Sequence, residues 1–357
     1  MKRLNTMAGL VAAAAPFATV PAHAQATAPA GTSSVTVYGL VDAVVRRATN
    51  VSATGGADTT MEDGLITGSR LGFRGVEDLG DGLRAAFTLE SGFDPSTGTS
   101  LQATPVADYG QEAASPRFWG REIHVGVRNN RGGVTLGRQY TTAHQIAARF
   151  QPQGNPNNTA LSVFGSHHIA RQDNVVRLDT KLGDVELLAT RTLGEQAASS
   201  SANASWSLGT VYTKGDLSLG GYVQQMNNRA GTETRKIVGA GGNYRFNPAL
   251  ALFLGYMQRS SEVSPQENKV VAIGTNIELT PTATVSAEYF DDRQSGSAAL
   301  EGSRKVGWVT ANYRFSRRTD IYALIDHNRV SGGYAKPAFM GTLGTQTALS
   351  LGLRHRF

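Results

Sequence analysis

The chain has 357 residues, 34 basic and 28 acidic side chains for a formal charge of +6, 41 glycines and no cysteine. So small a charge excess, with no basic tract interleaved with aromatics, argues against a nucleic-acid partner. Without cysteine no disulfide framework can hold the fold, so stability must come from a large core or from closure of a hydrogen-bonded sheet.

Residues 1–24 read as a secretion signal: Lys2 and Arg3, an apolar stretch from Met7 to Val20, then Ala22-His23-Ala24 as a cleavage site before Gln25. That stretch is too short for a spanning helix, which needs about 20 residues. No later segment offers 18 uncharged apolar residues in a row. Residues 25–34 are a short mature N-terminal segment, and 35–357 form one unit.

From Val35 onward the apolar period is two. Val35, Val37, Val41 and Val45 share a face with Gly39, with Thr36 and Asp42 opposite. Leu83, Phe87 and Leu89 oppose Arg84, Thr88 and Glu90, and Val271, Ile273, Ile277 and Leu279 oppose Asn276 and Glu278. At the end, Leu349, Leu351, Leu353, His355 and Phe357 alternate with Ala348, Ser350, Gly352, Arg354 and Arg356. Alternate residues of a strand show opposite faces, so each segment has an apolar and a polar side.

Tight turns fall at 77–82, 129–133, 182–184, 214–216, 246–248, 280–282 and 315–319. They are built from the Gly, Asn, Asp and Pro clusters that close hairpins. Eight longer polar stretches lie between them, at roughly 47–66, 93–117, 141–173, 193–202, 227–234, 260–268, 293–303 and 330–345. Seven turns and one junction of the termini, facing eight loops, require sixteen strands. The predicted fold is an all-β, 16-stranded antiparallel transmembrane barrel with short periplasmic turns and long external loops. Aromatics near strand ends (Tyr38, Tyr244, Phe246, Tyr289, Tyr313, Phe315, Phe357) are expected in interfacial girdles. Alternation by itself also suits an exported soluble β-sandwich; the turn–loop asymmetry and the terminal Phe weigh against it.

The segments Ser34–Ala43, Ser69–Ala85, Leu89–Phe93, Phe118–Val127, Gly133–Gln139, Asn243–Phe246 and Leu353–Phe357 resemble, in order and spacing, Gram-negative general porins of the betaproteobacterial type. The resemblance spans essentially the whole mature chain. It implies a homotrimer in the outer membrane, in contact with lipid and lipopolysaccharide, that lets small hydrophilic solutes diffuse passively. It also implies that the third external loop, about Tyr140 to Asp173, folds inward to narrow the pore, and that Phe357 is read by the barrel-assembly machinery.

A lipid-facing Arg at mid-membrane costs about 2–4 kcal/mol, so mid-strand arginines should face the lumen. Arg70 and Arg74 flank Leu71 and Phe73, and Arg84 shares a face with Thr88 and Glu90. Arg46 shares parity with Asp42 and is placed near the outer mouth. The resemblance adds Arg138 to this basic wall, although Leu136 has the same parity and the pattern leaves its side open. From Tyr140 to Gln172 the inward loop holds His144, Arg149, Phe164, His167, His168 and Arg171 but no Asp or Glu, so only Asp173 offers a carboxylate. Anion preference is therefore expected, carried by Arg70, Arg74, Arg84 and Arg138, with Arg171 a further candidate. The competing view is that these arginines pair with Asp42, Glu90 or Asp173 to hold the loop. Arg293, Arg304, Arg317, Arg318 and Lys336 are expected to be solvated.

Neighbouring His167 and His168 point apart in an extended segment and lack a nearby carboxylate, so no metal site or cofactor is expected. Asp291-Asp292 and Asp326-His327 do not make a hydrolytic set, and no enzyme activity is expected. The alternative function is a substrate-specific channel for phosphate or organic anions, which would need an aromatic track; Tyr140, Phe150, Phe164, Trp119 and Trp308 are the candidates.

Overall fold

The computed structural model describes residues 33–103, 108–112 and 116–357; the signal sequence and its cleavage site lie outside them. The strands are β1 (Ser34–Ala48), β2 (Asp58–Asp63), β3 (Arg70–Gly80), β4 (Leu83–Phe93), β5 (Ser100–Leu101), β6 (Glu122–Arg128), β7 (Gly132–Tyr140), β8 (Arg171–Leu182) and β9 (Val185–Thr192). They continue as β10 (Ser205–Lys214), β11 (Leu217–Asn227), β12 (Thr234–Asn247), β13 (Leu250–Ser261), β14 (Glu267–Thr280), β15 (Ala283–Ser295), β16 (Gly302–Arg314), β17 (Thr319–Gly332) and β18 (Thr345–Arg356). Two helices, α1 (Thr142–Arg149) and α2 (Phe164–His167), lie in the loop between β7 and β8.

Sixteen long strands close on themselves as antiparallel neighbours. β18 returns to β1 with Leu40 opposite Arg356 and Ala48 opposite Ala348, while the first half of β1 pairs with β3 from Ser34–Val76 to Leu40–Arg70. The short strands β2 and β5 only extend the loop end, on β1 and β4. Closure leaves the wall without an edge, and the ladders run on around the barrel with register shifts at Asp78/Gly80, Gly137/Gln139, Arg245/Asn247 and Glu278/Thr280, as a lipid-facing sheet requires.

The outer face follows the predicted alternation. Leu349, Leu351 and Leu353 are 58%, 63% and 55% exposed, whereas Ala348 and Ser350 are buried. Tyr244, Phe246, Tyr289, Tyr313, Phe315 and Phe357 also face outward. Tyr38 does not. It shares the inner row with Asp42 and hydrogen-bonds Glu90 at 2.9 Å, so its placement in a girdle is corrected.

The interior is filled on one side by the loop between β7 and β8, called L3 below. Thr141 caps α1 by accepting from the His144 amide at 3.2 Å, and α1 then packs on β9 to β12. The wall makes room with glycines on the inner row. A Cβ at Gly241 would lie 2.6 Å from the Phe150 ring, and one at Gly255 would lie 3.0 Å from Phe164. Gly209, Gly220 and Gly274 receive Ile146, Phe150 and Pro152 in the same way. Phe150, Ile146, Leu161 and Phe164 are buried with wall residues Met226, Ile237, Met257, Phe290 and Trp308 in one apolar cluster. At about 25 cal/mol per Å², such burial is the main force that draws the loop inside.

The tip of L3 crosses to the opposite wall. There the amides of Asn157 and Asn158 donate to Ile66 and Leu65, in a segment that also dips into the barrel. Arg304, expected to be solvated, is instead 1% exposed on the inner row of β16. It donates to Thr159 O at 2.6 Å and to Asn328 Oδ1 at 2.9 Å, so a loop carbonyl takes the place of water. Arg46 is also inward and forms a buried bidentate pair with Asp326 at 2.6 and 3.0 Å.

Candidate functional site

Opposite the wall that α1 covers, β1, β3, β4 and β6 bring one level of their inner rows together. Tyr38 stands opposite Gly72, Gly72 opposite Glu90, and Glu90 opposite Glu122. Gly72 is required there, because a Cβ would run 2.5 Å from the Tyr38 ring. Tyr38 therefore lies across the strand, and the Arg74 guanidinium stacks 4.0 Å above its ring.

Glu90 is the hub. It accepts Arg121 Nε at 2.6 Å and the Tyr38 hydroxyl at 2.9 Å, with an Arg70 nitrogen 3.8 Å away. Arg70 also donates its Nε to Gly68 O at 2.9 Å. Arg121 reaches the Tyr140 hydroxyl at 3.0 Å, and Arg171 donates to that same hydroxyl while its guanidinium lies 4.1 Å over the Tyr140 ring. Arg70, Arg74, Arg121 and Arg171 thus gather around two carboxylates, Glu90 and Glu122. Charge-assisted hydrogen bonds hold the geometry, and the positive sign is left in excess. Arg70 and Arg121 are buried, whereas Arg74 and Arg171 are half-exposed.

Arg138 lies close enough to Glu122 to feel its charge, but its guanidinium is engaged with Asp173 and Gly120. Arg138 stands opposite Ile123, an outward residue, and gives its Nε to Gly120 O at 2.9 Å and an NH to Asp173 at 2.8 Å. Asp173 also takes Arg117 at 2.8 Å and the Glu112 amide at 2.9 Å. The pair is a closed clamp that engages Arg117 and Glu112 of the loop after β5, so Arg138 pairs with Asp173, as the competing view anticipated, instead of standing as an unpaired charge on the basic wall. Arg84 is corrected too. Its cross-strand neighbours are Asp78 and Arg128, six residues from Glu90 toward the short-turn end, or about 20 Å at the usual strand rise.

The acid-free loop meets carboxylates of the wall instead. Arg149 forms a bidentate pair with Glu186 at 2.6 and 2.9 Å, and His167 contacts Asp292 at 2.7 Å. His168 points the other way, to His144 Nδ1 at 3.1 Å, and that nitrogen also faces the Asn155 amide at 3.3 Å. Burial, with His167 adding to it, pushes the His168 ring down to about 3, so it is neutral at physiological pH. The aromatic candidates form no track. Phe150 and Phe164 are sealed against the glycine wall, Trp308 donates to Leu161 O, and Trp119 packs on outward Phe73.

Arg121, Glu122 and Tyr38 are the members that sequence reasoning missed. The parity of Tyr38 with Asp42 and Arg46 was a readable signal for an inward side chain. Arg121 precedes β6 at a loop end, where no period operates.

A profile described as Gram-negative porin matches residues 9–333. The chain is 26% identical to an outer membrane porin protein of Bordetella pertussis, over 91% of this chain and 94% of that one. It is also 26% identical to outer membrane porin protein 32 of Delftia acidovorans, with the same coverage of 91% and 94%. A solved structure described as an anion-selective porin from Comamonas acidovorans superposes with a TM-score of 0.75 at 21% identity, covering 91% of this chain and all of that one.

Proposed function

This chain belongs to the Gram-negative porin family, and we propose that it forms a water-filled channel for passive diffusion of small hydrophilic solutes with a preference for anions. The observation that carries the preference is the excess of Arg70, Arg74, Arg121 and Arg171 over Glu90 and Glu122, facing a loop with no Asp or Glu of its own. Exposed charge is screened within about 8 Å at physiological salt, so the net charge of the chain decides little. A cluster at a narrow opening with low-dielectric walls acts on each passing ion and is screened far less. The description of the Comamonas structure as anion-selective supports the reading.

The setting is the outer membrane, with the seven short turns toward the periplasm and the long loops outside, in contact with lipopolysaccharide. The chain assembles as a homotrimer in this reading, and the apolar outer face of β1, where Val35 and Val37 are 67% and 56% exposed, is compatible with a subunit contact. Phe357 serves as an assembly signal, its ring exposed at the short-turn end.

The deciding experiment is the zero-current potential of the purified protein in a planar bilayer under a KCl gradient. A chloride-selective potential with conductance steps in threes is expected. A potassium-selective potential would sink the anion assignment, and saturating flux for a single solute would favour a substrate-specific channel.

A further inference from the structure

A second group of arginines lies on the inner wall nearer the loop end. Arg235 of β12 is opposite Ser261, and Arg259 of β13 is opposite Ile237, so the two are diagonal neighbours on one face. On β11 and β10 the same two rows carry Gln224, opposite Ile237, and Ser205, opposite Met226. Strands lie about 4.8 Å apart, so these four side chains, one on each of four neighbouring strands, occupy a patch about 14 Å wide. The Tyr109 ring, from the loop after β5, stacks on the Arg235 guanidinium at 4.3 Å.

The polar atoms of this patch are unusually free. Among the described residues neither Arg235 nor Arg259 has a carboxylate partner, although most inward arginines of this barrel do. The Nε of each, both polar atoms of the Gln224 side chain and the Ser205 hydroxyl are buried without a hydrogen-bond partner. Gln224 and Ser205 are 1% and 2% exposed. The nearby Asp292 is already taken by His167 at 2.7 Å, Tyr334 at 2.6 Å and Asn268 at 3.0 Å, and Glu112 is taken by Arg229 at 2.8 Å. Burying donors without acceptors is unfavourable, and two adjacent guanidiniums repel. One small oxyanion would answer both costs at once.

We propose that Arg235, Arg259, Gln224 and Ser205 form a binding subsite for a small oxyanion, phosphate or a carboxylate, distinct from the cluster around Glu90. Guanidinium N–H groups present a fork that matches either oxyanion, and Gln224 Nε2 and Ser205 Oγ add donors from the neighbouring strands. The Tyr109 ring covers the patch on one side through its stack on Arg235. The site rests on the channel reading only in that an anion must be able to enter the mouth.

The test is block of chloride current by inorganic phosphate or by acetate, added to each side of a planar bilayer in turn at low KCl. Wild type is expected to show saturable block by at least one of the two, and the better blocker identifies the preferred oxyanion. In the R235Q/R259Q variant the half-blocking concentration should rise at least fivefold, with the zero-current potential in KCl little changed. R235K/R259K should lie between, because it keeps the charge and loses the fork. Conductance in 1 M KCl, where screening is strong, establishes that a variant forms open channels; R259Q alone replaces the pair if it does not. Unchanged block in the Gln variant, or no block of wild type by either anion, would overturn the subsite. The anion preference itself is decided separately by the wild-type zero-current potential.

Discussion

The Phe150 ring lies where a side chain at Gly241 would be, 2.6 Å from the position of its Cβ. Loop and wall are therefore built to each other's shape, and the missing side chains of the wall define the path of L3. We predict that Gly241→Val forces Phe150 and its neighbours toward the lumen, lowering single-channel conductance by at least a third while the barrel still closes. Phe150→Ala should cost about 3–5 kcal/mol of loop packing, because the ring is almost fully buried. Conductance histograms of both variants check this, and wild-type values for both would refute the wall's role.

The arginines should separate by position. Arg74→Gln and Arg70→Gln are predicted to reduce the chloride-to-potassium permeability ratio at least twofold in 0.1 M KCl, with the difference shrinking at 1 M as screening grows. Arg138→Gln should leave the ratio within that twofold bound, because its guanidinium is spent on Gly120 and Asp173. If Arg138→Gln had the larger effect, the clamp would have been assigned to the wrong side of the wall.

Arg46 and Asp326 form an ion pair in which both side chains are at most 4% exposed. Removing one partner strands the other, which typically costs about 3–5 kcal/mol. Asp326→Asn is predicted to lower the urea midpoint of unfolding in detergent, and Arg46→Met with Asp326→Leu to recover most of it. No recovery in the double variant would mean that the pair contributes more than its own desolvation.

His168 gives a pH dependence with a defined sign. Its folded pKa, about 3, lies below the ordinary histidine value of about 6.5. The stability it contributes is thus fully present above pH 6.5 and is lost progressively as pH falls toward 3, by at most about 1.4 kcal/mol per pH unit. Thermal melts in detergent should show this slope in wild type and a flatter one in His168→Gln. Equal slopes would remove His168 as its source.

Much of the architecture is already written in the order of residues. A period of two, hairpin residues at seven turns and eight long polar stretches lead to a sixteen-stranded closed sheet, because lipid tolerates no unpaired strand edge. The same reasoning turned Arg46, Arg70 and Arg74 inward, since a lipid-facing guanidinium is costly, and the acid-free composition of L3 was plain to read. What only the tertiary structure decided is which charge meets which partner. Arg304 finds Thr159 O across 145 positions of chain, Arg46 finds Asp326 across 280, and Tyr38 finds Glu90 across 52. Arg138, placed in the basic wall by resemblance, and Asp173, read as the carboxylate the inward loop could offer, instead close on each other at 2.8 Å. The physical reason is that side-chain alternation is a local property of a strand, whereas ion pairing inside a barrel depends on register and on loops that cross it.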